Sequence, residues 1–178
     1  TFRNCTAQQG MADMGVRPSQ VGEVILNLRT YPIRVGNNYD ATGNEVGNSG
    51  GWWHDQEELT WEQVLTSAMG ETPSSDAVRE LMERERTTVT KKVRRVATFS
   101  FDWLKYAAAF NGATALAVNF THYLPGAWST LGARGGPGEF ARMPDSVKRF
   151  VYQCEEATGL PVIMLGTGPM HEDVIWRV

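Results

Sequence analysis

Two apolar runs constrain the fold of this chain more than any other feature. Ala113 to Phe120 and Leu160 to Leu165 are short, nearly continuous, and each follows a helical pattern that stops at a glycine, Gly112 and Gly159. A run that is apolar at successive positions fits a strand covered on both faces, whereas a half-exposed strand would alternate. Two such helix-then-buried-strand units predict an α/β fold with a mostly parallel sheet flanked by helices. Ligands of such sheets sit beyond the carboxyl ends of the strands. Those ends are expected to carry Val35-Gly36, the segment after Phe120, and Gly166-Thr167-Gly168.

The rest of the pattern fills in around these units. Residues 1–17 read as loop. Pro18 can open a helix along which Val21, Val24, Ile25 and Leu28 recur at helical spacing. Tyr31 to Val35 reads as a short strand and 37–59 as a polar, glycine-rich loop. Thr60-Trp61-Glu62-Gln63 is a capping-box pattern and predicts a helix to about Met69. A charged, solvated helix is expected over 76–86. Phe101 to Phe110 predicts a helix with Trp103, Tyr106 and Phe110 turned to the core. Residues 125–142 read as loop. Pro144 to Thr158 predicts a helix with Val147, Phe150 and Val151 inward, and Val174 to Val178 a last strand.

A chain of 178 residues with 42% hydrophobic content makes one domain with a proper core. Its formal net charge of −3 argues against a general nucleic-acid binder, which would be basic. No apolar run approaches the roughly 18 residues of a membrane span, and no leader is visible, so a cytoplasmic protein is expected. Cys5 and Cys154 are isolated and read as reduced thiols. His54, His122 and His171 share no metal-ligand spacing, so no metal held by protein groups alone is expected.

Against that background, Val89-Thr90-Lys91-Lys92-Val93-Arg94-Arg95-Val96 stands out. It places four cations in five residues of a net acidic chain. The β-branched residues favour extended backbone or a loop. In a regular extended segment Lys92 and Arg94 would project together, opposite Lys91, Val93 and Arg95. An ammonium beside a guanidinium suits a carboxylate or a phosphate. A solvated basic turn is the plain alternative.

Several segments, in this order, resemble the adenylosuccinate synthetase family. Thr30-Tyr31-Pro32-Ile33-Arg34-Val35-Gly36 resembles its "AYxTRVG" segment, and the cationic stretch its "VTGRxRRVG" loop. Gly159-Leu160-Pro161-Val162 with Gly166-Thr167-Gly168-Pro169 resembles its "TGVPI…STGP" ending. Asn111-Gly112 before an apolar strand fits "xNGxxxxALT", and Asn4-Cys5-Thr6-Ala7 is similar to "SNTTAGG". The likeness spans nearly the whole chain and is weakest over residues 40–86, a family-variable insertion within one synthetase domain. It covers the family's C-terminal half, so residues 1–178 read as that portion. The family's phosphate-binding glycine loop, catalytic Asp and catalytic His belong to the other half, and no catalytic residue is expected here.

The resemblance implies a purine nucleotide ligase. Such enzymes phosphorylate the 6-oxygen of a purine monophosphate with a nucleoside triphosphate, and the amine of L-aspartate then displaces the phosphate. It implies Thr90, Lys92 and Arg94 at the aspartate, and Thr6, Val35, Gly36 and Lys92 at the purine monophosphate. Phe120, His122, Gly166, Thr167 and Gly168 would line the triphosphate nucleotide. Magnesium would arrive with the phosphates, and a homodimer is implied. Two departures bear on substrates. Lys92 stands where the family has an Arg that contacts ribose, and Lys is a point donor without a planar fork. Asn119-Phe120-Thr121-His122 replaces the guanine-reading "TKLD", deleting a carboxylate that accepts from guanine N1–H and N2–H. Both fit a phage branch of the family that joins aspartate to dGMP with an adenine nucleotide to make 2-amino-2'-deoxyadenylosuccinate, a precursor of 2-aminoadenine. The choices of dGMP or IMP, and of ATP, dATP or GTP, stay open, as does a nucleotide-binding half-protein without catalysis.

Overall fold

A computed structural model describes residues 6–177. The expected motifs at Asn4 and Cys5 and the last residue of the predicted final strand lie outside them. The core of the fold is a four-stranded sheet of β1 (Ile25–Arg29), β7 (Ala115–Asn119), β8 (Val162–Gly166) and β9 (Val174–Trp176), in the spatial order β1-β7-β8-β9. β1, β7 and β8 run parallel, and β9 returns antiparallel to β8. Leu116 and Val118 of β7 and Leu165 of β8 are essentially fully buried. They pack against Leu104 of α4 (Phe101–Asn111) and Val147, Phe150 and Val151 of α6 (Asp145–Thr158). The mostly parallel α/β architecture and the inward face of α6 agree with the reading of the sequence.

Local chemistry fixes the helix ends. Ser100 caps α4 through the Trp103 N–H, and Gly112 closes it in the left-handed conformation that costs glycine little. Thr60 and Gln63 form the expected capping box of α2 (Trp61–Met69). α3 (Ser75–Arg84) follows, capped by Ser74. These two helices build a satellite core of Trp61, Val64, Leu65 and Leu81 against Val96 and Tyr123. Beside them lies a small antiparallel sheet of β2 (Ile33–Arg34), β6 (Arg95–Ala97) and β5 (Glu58–Leu59), in the order β2-β6-β5. β3 (Asn38–Tyr39) and β4 (Glu45–Gly47) form a separate hairpin.

Several expectations are corrected. Residues 7–14 are helix α1 (Ala7–Met14), not loop. The helix predicted after Pro18 ends after one 3₁₀ turn at Gln20, and Ile25 to Arg29 become a strand. Leu26 and Leu28 fall two apart and pack on the core from one strand face, and pairing along β7 overrides the helical spacing. The 37–59 segment contains β3, β4 and β5, and the 125–142 segment contains α5 (Pro137–Arg142), with proline in its first turn. Trp103, Tyr106 and Phe110 are 44–55% exposed, stacked along the outside of α4. They lie opposite buried Leu104 and Ala108, so the helical spacing was right and the buried face was not. The charged helix is solvated along most of its length, but it buries Leu81 and the Glu85 that follows it. Cys154 is a buried thiol whose desolvation pushes its pKa up to about 12.

Candidate functional site

β1, β7 and β8 end together at Arg29, Asn119 and Gly166. Just beyond β7, Phe120 turns into the left-handed region at φ 61°. A bulky side chain rarely holds that conformation unless its surroundings impose it. Here the Thr30 hydroxyl donates to the Phe120 carbonyl at 2.8 Å, and the Tyr123 N–H donates to the same oxygen at 3.0 Å. The turn sends Phe120, His122 and Tyr123 into a cavity of about 520 Å³ with Gly168, Pro169, Leu131, Arg84 and Glu85. Val35-Gly36, by contrast, follows β2 of the small antiparallel sheet, so the parallel strand ends at Arg29 instead.

The cavity wall is aromatic. Phe120 and Tyr123 stack at 5.7 Å, and Tyr123 lies nearly parallel to Trp128 at 6.1 Å. His122 meets Tyr123 edge-on at 4.4 Å. Arg29 spreads its guanidinium 3.7 Å from the centre of the Phe120 ring. His122 is only 6% exposed. Burial drives its pKa down to about 4, helped by the charges of Arg29 and Arg84 and opposed by a hydrogen bond to the Thr167 backbone. The ring is therefore neutral near pH 7, with one N–H and one lone pair. Its Nδ1 is buried and has no hydrogen-bond partner. Gly166 is buried at the end of β8, paired with Asn119. The Thr167 hydroxyl donates to the Ala133 carbonyl at 2.6 Å. A Cβ on Gly168 would stand 2.4 Å from Asp173 Oδ2, so this glycine makes room for the chain's own carboxylate. That carboxylate accepts from the Met170 N–H and pairs with Arg134.

A second cavity, of about 550 Å³, lies under the cationic segment. Gly36, Asn37, Asn38, Tyr39, Glu58, Lys92 and Arg95 line it. Gly36 is needed for the close approach, since a Cβ there would meet the Val93 carbonyl at 2.4 Å. The segment is not regularly extended. Thr87 and Lys92 close a turn, Lys91 sits at φ 54°, and of the four cations only Arg95 enters β6. Strict alternation is lost, and the expected pairing of Lys92 with Arg94 is corrected. Lys92 faces the cavity with Arg95, donating to the Asn37 carbonyl and Asn38 Oδ1. Arg94 turns instead to Glu85, Nη1 to Oε2 3.7 Å.

The segment also finds anions inside the molecule. Arg95 grips both oxygens of Glu58 at 2.8 and 2.6 Å, and this bonding holds the Glu58 carboxyl below the usual carboxylate range. Thr90 is exposed and shares a hydroxyl hydrogen bond with Thr87. The Val35 carbonyl accepts from Ser49. Thr6 caps α1, and the next residue donates from Ala7 N to Asn111 Oδ1 at 3.0 Å. That contact lies at the amino-terminal end of the sheet, whereas Gly36 and Lys92 belong to loops beyond its other end. The structure thus gathers Gly36 with Lys92, and Phe120 with His122 and Gly168, while Thr6 lines neither cavity.

Sequence reasoning missed three residues. Arg29, Glu85 and Tyr123 form one buried polar cluster: Arg29 pairs with Glu85, and the Tyr123 hydroxyl donates to Glu85 Oε1 at 2.9 Å. Burial and the neighbouring Glu85 charge push the Tyr123 phenol far above its usual range. One signal existed. Glu85 follows buried Leu81 by four residues, on the same helical face.

The strand ends, the aromatic cavity and the cationic pocket define an open, mostly parallel α/β protein with ligand-sized cavities outside its sheet. No family model matches the chain. Individual relatives do. The N6-succino-2-amino-2'-deoxyadenylate synthase of Vibrio phage phiVC8 is 39% identical over 183 residues, covering 99% of this chain and 40% of that protein. The adenylosuccinate synthetase of Pyrococcus horikoshii is 32% identical over 178 residues, covering 99% and 42%. Among solved structures, the succinoaminodeoxyadenylate synthetase of cyanophage S-2L, bound to dGMP and to dATP as an energy donor, superposes with a TM-score of 0.65. It is 27% identical, and the match covers 99% of this chain and 40% of that one. The chain belongs to the adenylosuccinate synthetase family. It spans about two-fifths of the length of these relatives. Among the described residues no helix is long and apolar enough to cross a membrane.

Proposed function

We propose that this chain is the C-terminal portion of a ligase that joins L-aspartate to the 6-position of a purine monophosphate. The favoured substrates are dGMP and an adenine triphosphate, ATP or dATP. In the first half-reaction the purine 6-oxygen takes the γ-phosphoryl group and a nucleoside diphosphate leaves. In the second, the aspartate amine forms the bond to C6 as the C6–O bond breaks and phosphate departs. Such chemistry depends on positioning and on charge stabilisation.

One observation carries the choice of triphosphate. His122, neutral and buried, stands where the family reads guanine with a carboxylate. An ionised carboxylate accepts twice, matching guanine N1–H and N2–H. A neutral imidazole can turn only one ring nitrogen to a base, so it cannot accept from both guanine donors, and the unpartnered Nδ1 can meet one group on an adenine edge. Phe120 supplies a stacking wall that needs no particular base. On the other side, Arg94 and Thr90 would take the aspartate carboxylates, and Lys92 with the backbone at Val35 and Gly36 would meet the sugar of the monophosphate. Thr6, at the cap of α1, would meet the phosphate of the monophosphate. Residues 40–86 act as a family-variable insertion whose Glu58 and Glu85 brace the cationic segment. Magnesium would come with the nucleotide phosphates. Among the described residues no cluster of three or more His, Cys, Asp or Glu is gathered, and no step is assigned to the ion. A homodimer in the cytoplasm, the host's if the gene is a phage's, completes the reading.

A second reading is ordinary adenylosuccinate synthesis from IMP and GTP, favoured by the match to the Pyrococcus enzyme over nearly the whole chain. The complete protein should be assayed with aspartate and each pairing of dGMP or IMP with ATP, dATP or GTP. Turnover of dGMP with an adenine triphosphate is the expected result. Turnover of IMP with GTP alone would overturn it. Nucleotide binding without turnover of any pair would leave a half-protein that binds and does not catalyse.

A further inference from the structure

Glu85 occupies an unusual position between the two candidate sites. It directly follows α3, and its side chain is 4% exposed. One carboxylate serves three partners drawn from three parts of the chain. Arg29 comes from the end of β1 and forms the ion pair, and Tyr123 from the turn after β7 donates at 2.9 Å. Arg94 comes from the cationic segment, 3.7 Å away. The backbone repeats the last link, because the Arg94 N–H donates to the Glu85 carbonyl at 3.0 Å. The Arg94 carbonyl in turn accepts from Trp61 Nε1 at 2.7 Å.

The charges are unequal. Two guanidiniums face one carboxylate, so the cluster carries an excess positive charge in a setting that is largely shielded from water. Arg29 is firmly engaged, its face laid 3.7 Å from the Phe120 ring. Arg94 is not, because 3.7 Å is too long for a hydrogen bond. Its donors are oriented by Glu85 yet uncommitted, the condition that suits capture of a second carboxylate. The same Glu85 holds Arg29 and Tyr123, and through them the aromatic wall of the base cavity.

We infer that Glu85 is a positioning residue for both sites: it aims Arg94 at the amino-acid carboxylate and fixes the Arg29–Phe120–Tyr123 wall for the triphosphate base. This rests on the function proposed above. Loosening Glu85 should therefore weaken both ligands together, through Arg94 on one side and through Arg29 and Tyr123 on the other.

The test is Glu85→Gln in the complete protein, with KM measured separately for aspartate, triphosphate and monophosphate, and a thermal melt as a check on folding. The aspartate and triphosphate KM values should each rise roughly tenfold, the scale of a lost charge-assisted contact, with the monophosphate value moving less. A folded variant in which either of the first two stays within twofold overturns the inference. Tyr123→Phe is the milder companion, because it removes one anchor of Glu85 and leaves its charge in place. It should raise the aspartate KM about threefold, although Tyr123 lies in the base cavity. An unmoved aspartate KM there overturns the coupling even if Glu85→Gln does not fold. Absence of aspartate-dependent turnover in the unaltered protein overturns the proposed function, and this inference with it. Turnover with unmoved KM values in the variants overturns the inference alone.

Discussion

The turn after β7 and the segment before β6 each contain one non-glycine residue in the left-handed region, Phe120 and Lys91, the only two among the described residues. They are held there by opposite means. Phe120 is fixed by a dry aromatic stack, by two hydrogen bonds to its carbonyl and by the ends of parallel strands. Lys91 is fixed by Arg86, whose Nη1 donates to its carbonyl at 2.8 Å, in a turn open to water. Strain locked by packing gives a preformed apolar cavity, while strain locked by charge gives a loop that can exchange internal partners for a ligand. A base needs the first kind of surface. A carboxylate, which must shed water and find paired donors, needs the second.

The largest expected effect tests whether the dry side depends on the sheet. Leu165→Ala should lower stability by roughly 2–5 kcal/mol, because a fully buried side chain leaves a void that the strands cannot collapse into. A shift in the urea midpoint at unchanged slope would report it. A loss under 1 kcal/mol would mean that the cavity region is softer than its burial implies.

Next comes the pH response of the same side. His122 has a folded pKa of about 4, below its ordinary 6.5. The unfolded chain therefore takes the proton first as pH falls. The stability due to the neutral ring is intact above pH 6.5 and is lost progressively toward pH 4, a total of roughly 3 kcal/mol at most. Denaturant melts between pH 7 and 4 should show this slope, and His122→Asn should flatten it. An equal slope in the variant would remove His122 as its source.

The smallest effect in free energy falls on the charged side. Arg94→Leu should raise the KM for aspartate roughly 10- to 100-fold, the range for a hydrogen bond to a charged group, and should leave the triphosphate KM much less affected. An unchanged aspartate KM would take Arg94 out of the site.

The two sides also differed in how far they could be read in advance. The strands β7 and β8, the helices α4 and α6 and the capping box of α2 follow from local pattern, because burial on both faces and helix caps leave direct marks on composition. Phe120 and His122 stood out because two residues break a family pattern. The cationic segment showed as a cluster of charge, yet its internal counter-ions did not. Glu58 and Glu85 lie in the stretch least like the family, and nothing local says that one grips Arg95 and the other orients Arg94. β1 was misread for a related reason. Ile25 and Leu28 suit a helix while Leu26 and Leu28 suit a strand, and only hydrogen bonding along β7 chooses strand.

By itself, the sequence determined two strands of the parallel core, the four helices α2, α3, α4 and α6, and the chemical character of two candidate sites. Only the tertiary structure decided which charges neutralise one another, which face of α4 is wet, and that Lys92 sits with Arg95 and not Arg94. Periodicity and capping are properties of neighbours along the chain. Ion pairing and burial depend on distances between residues far apart in it, such as the 56 positions that separate Arg29 from Glu85.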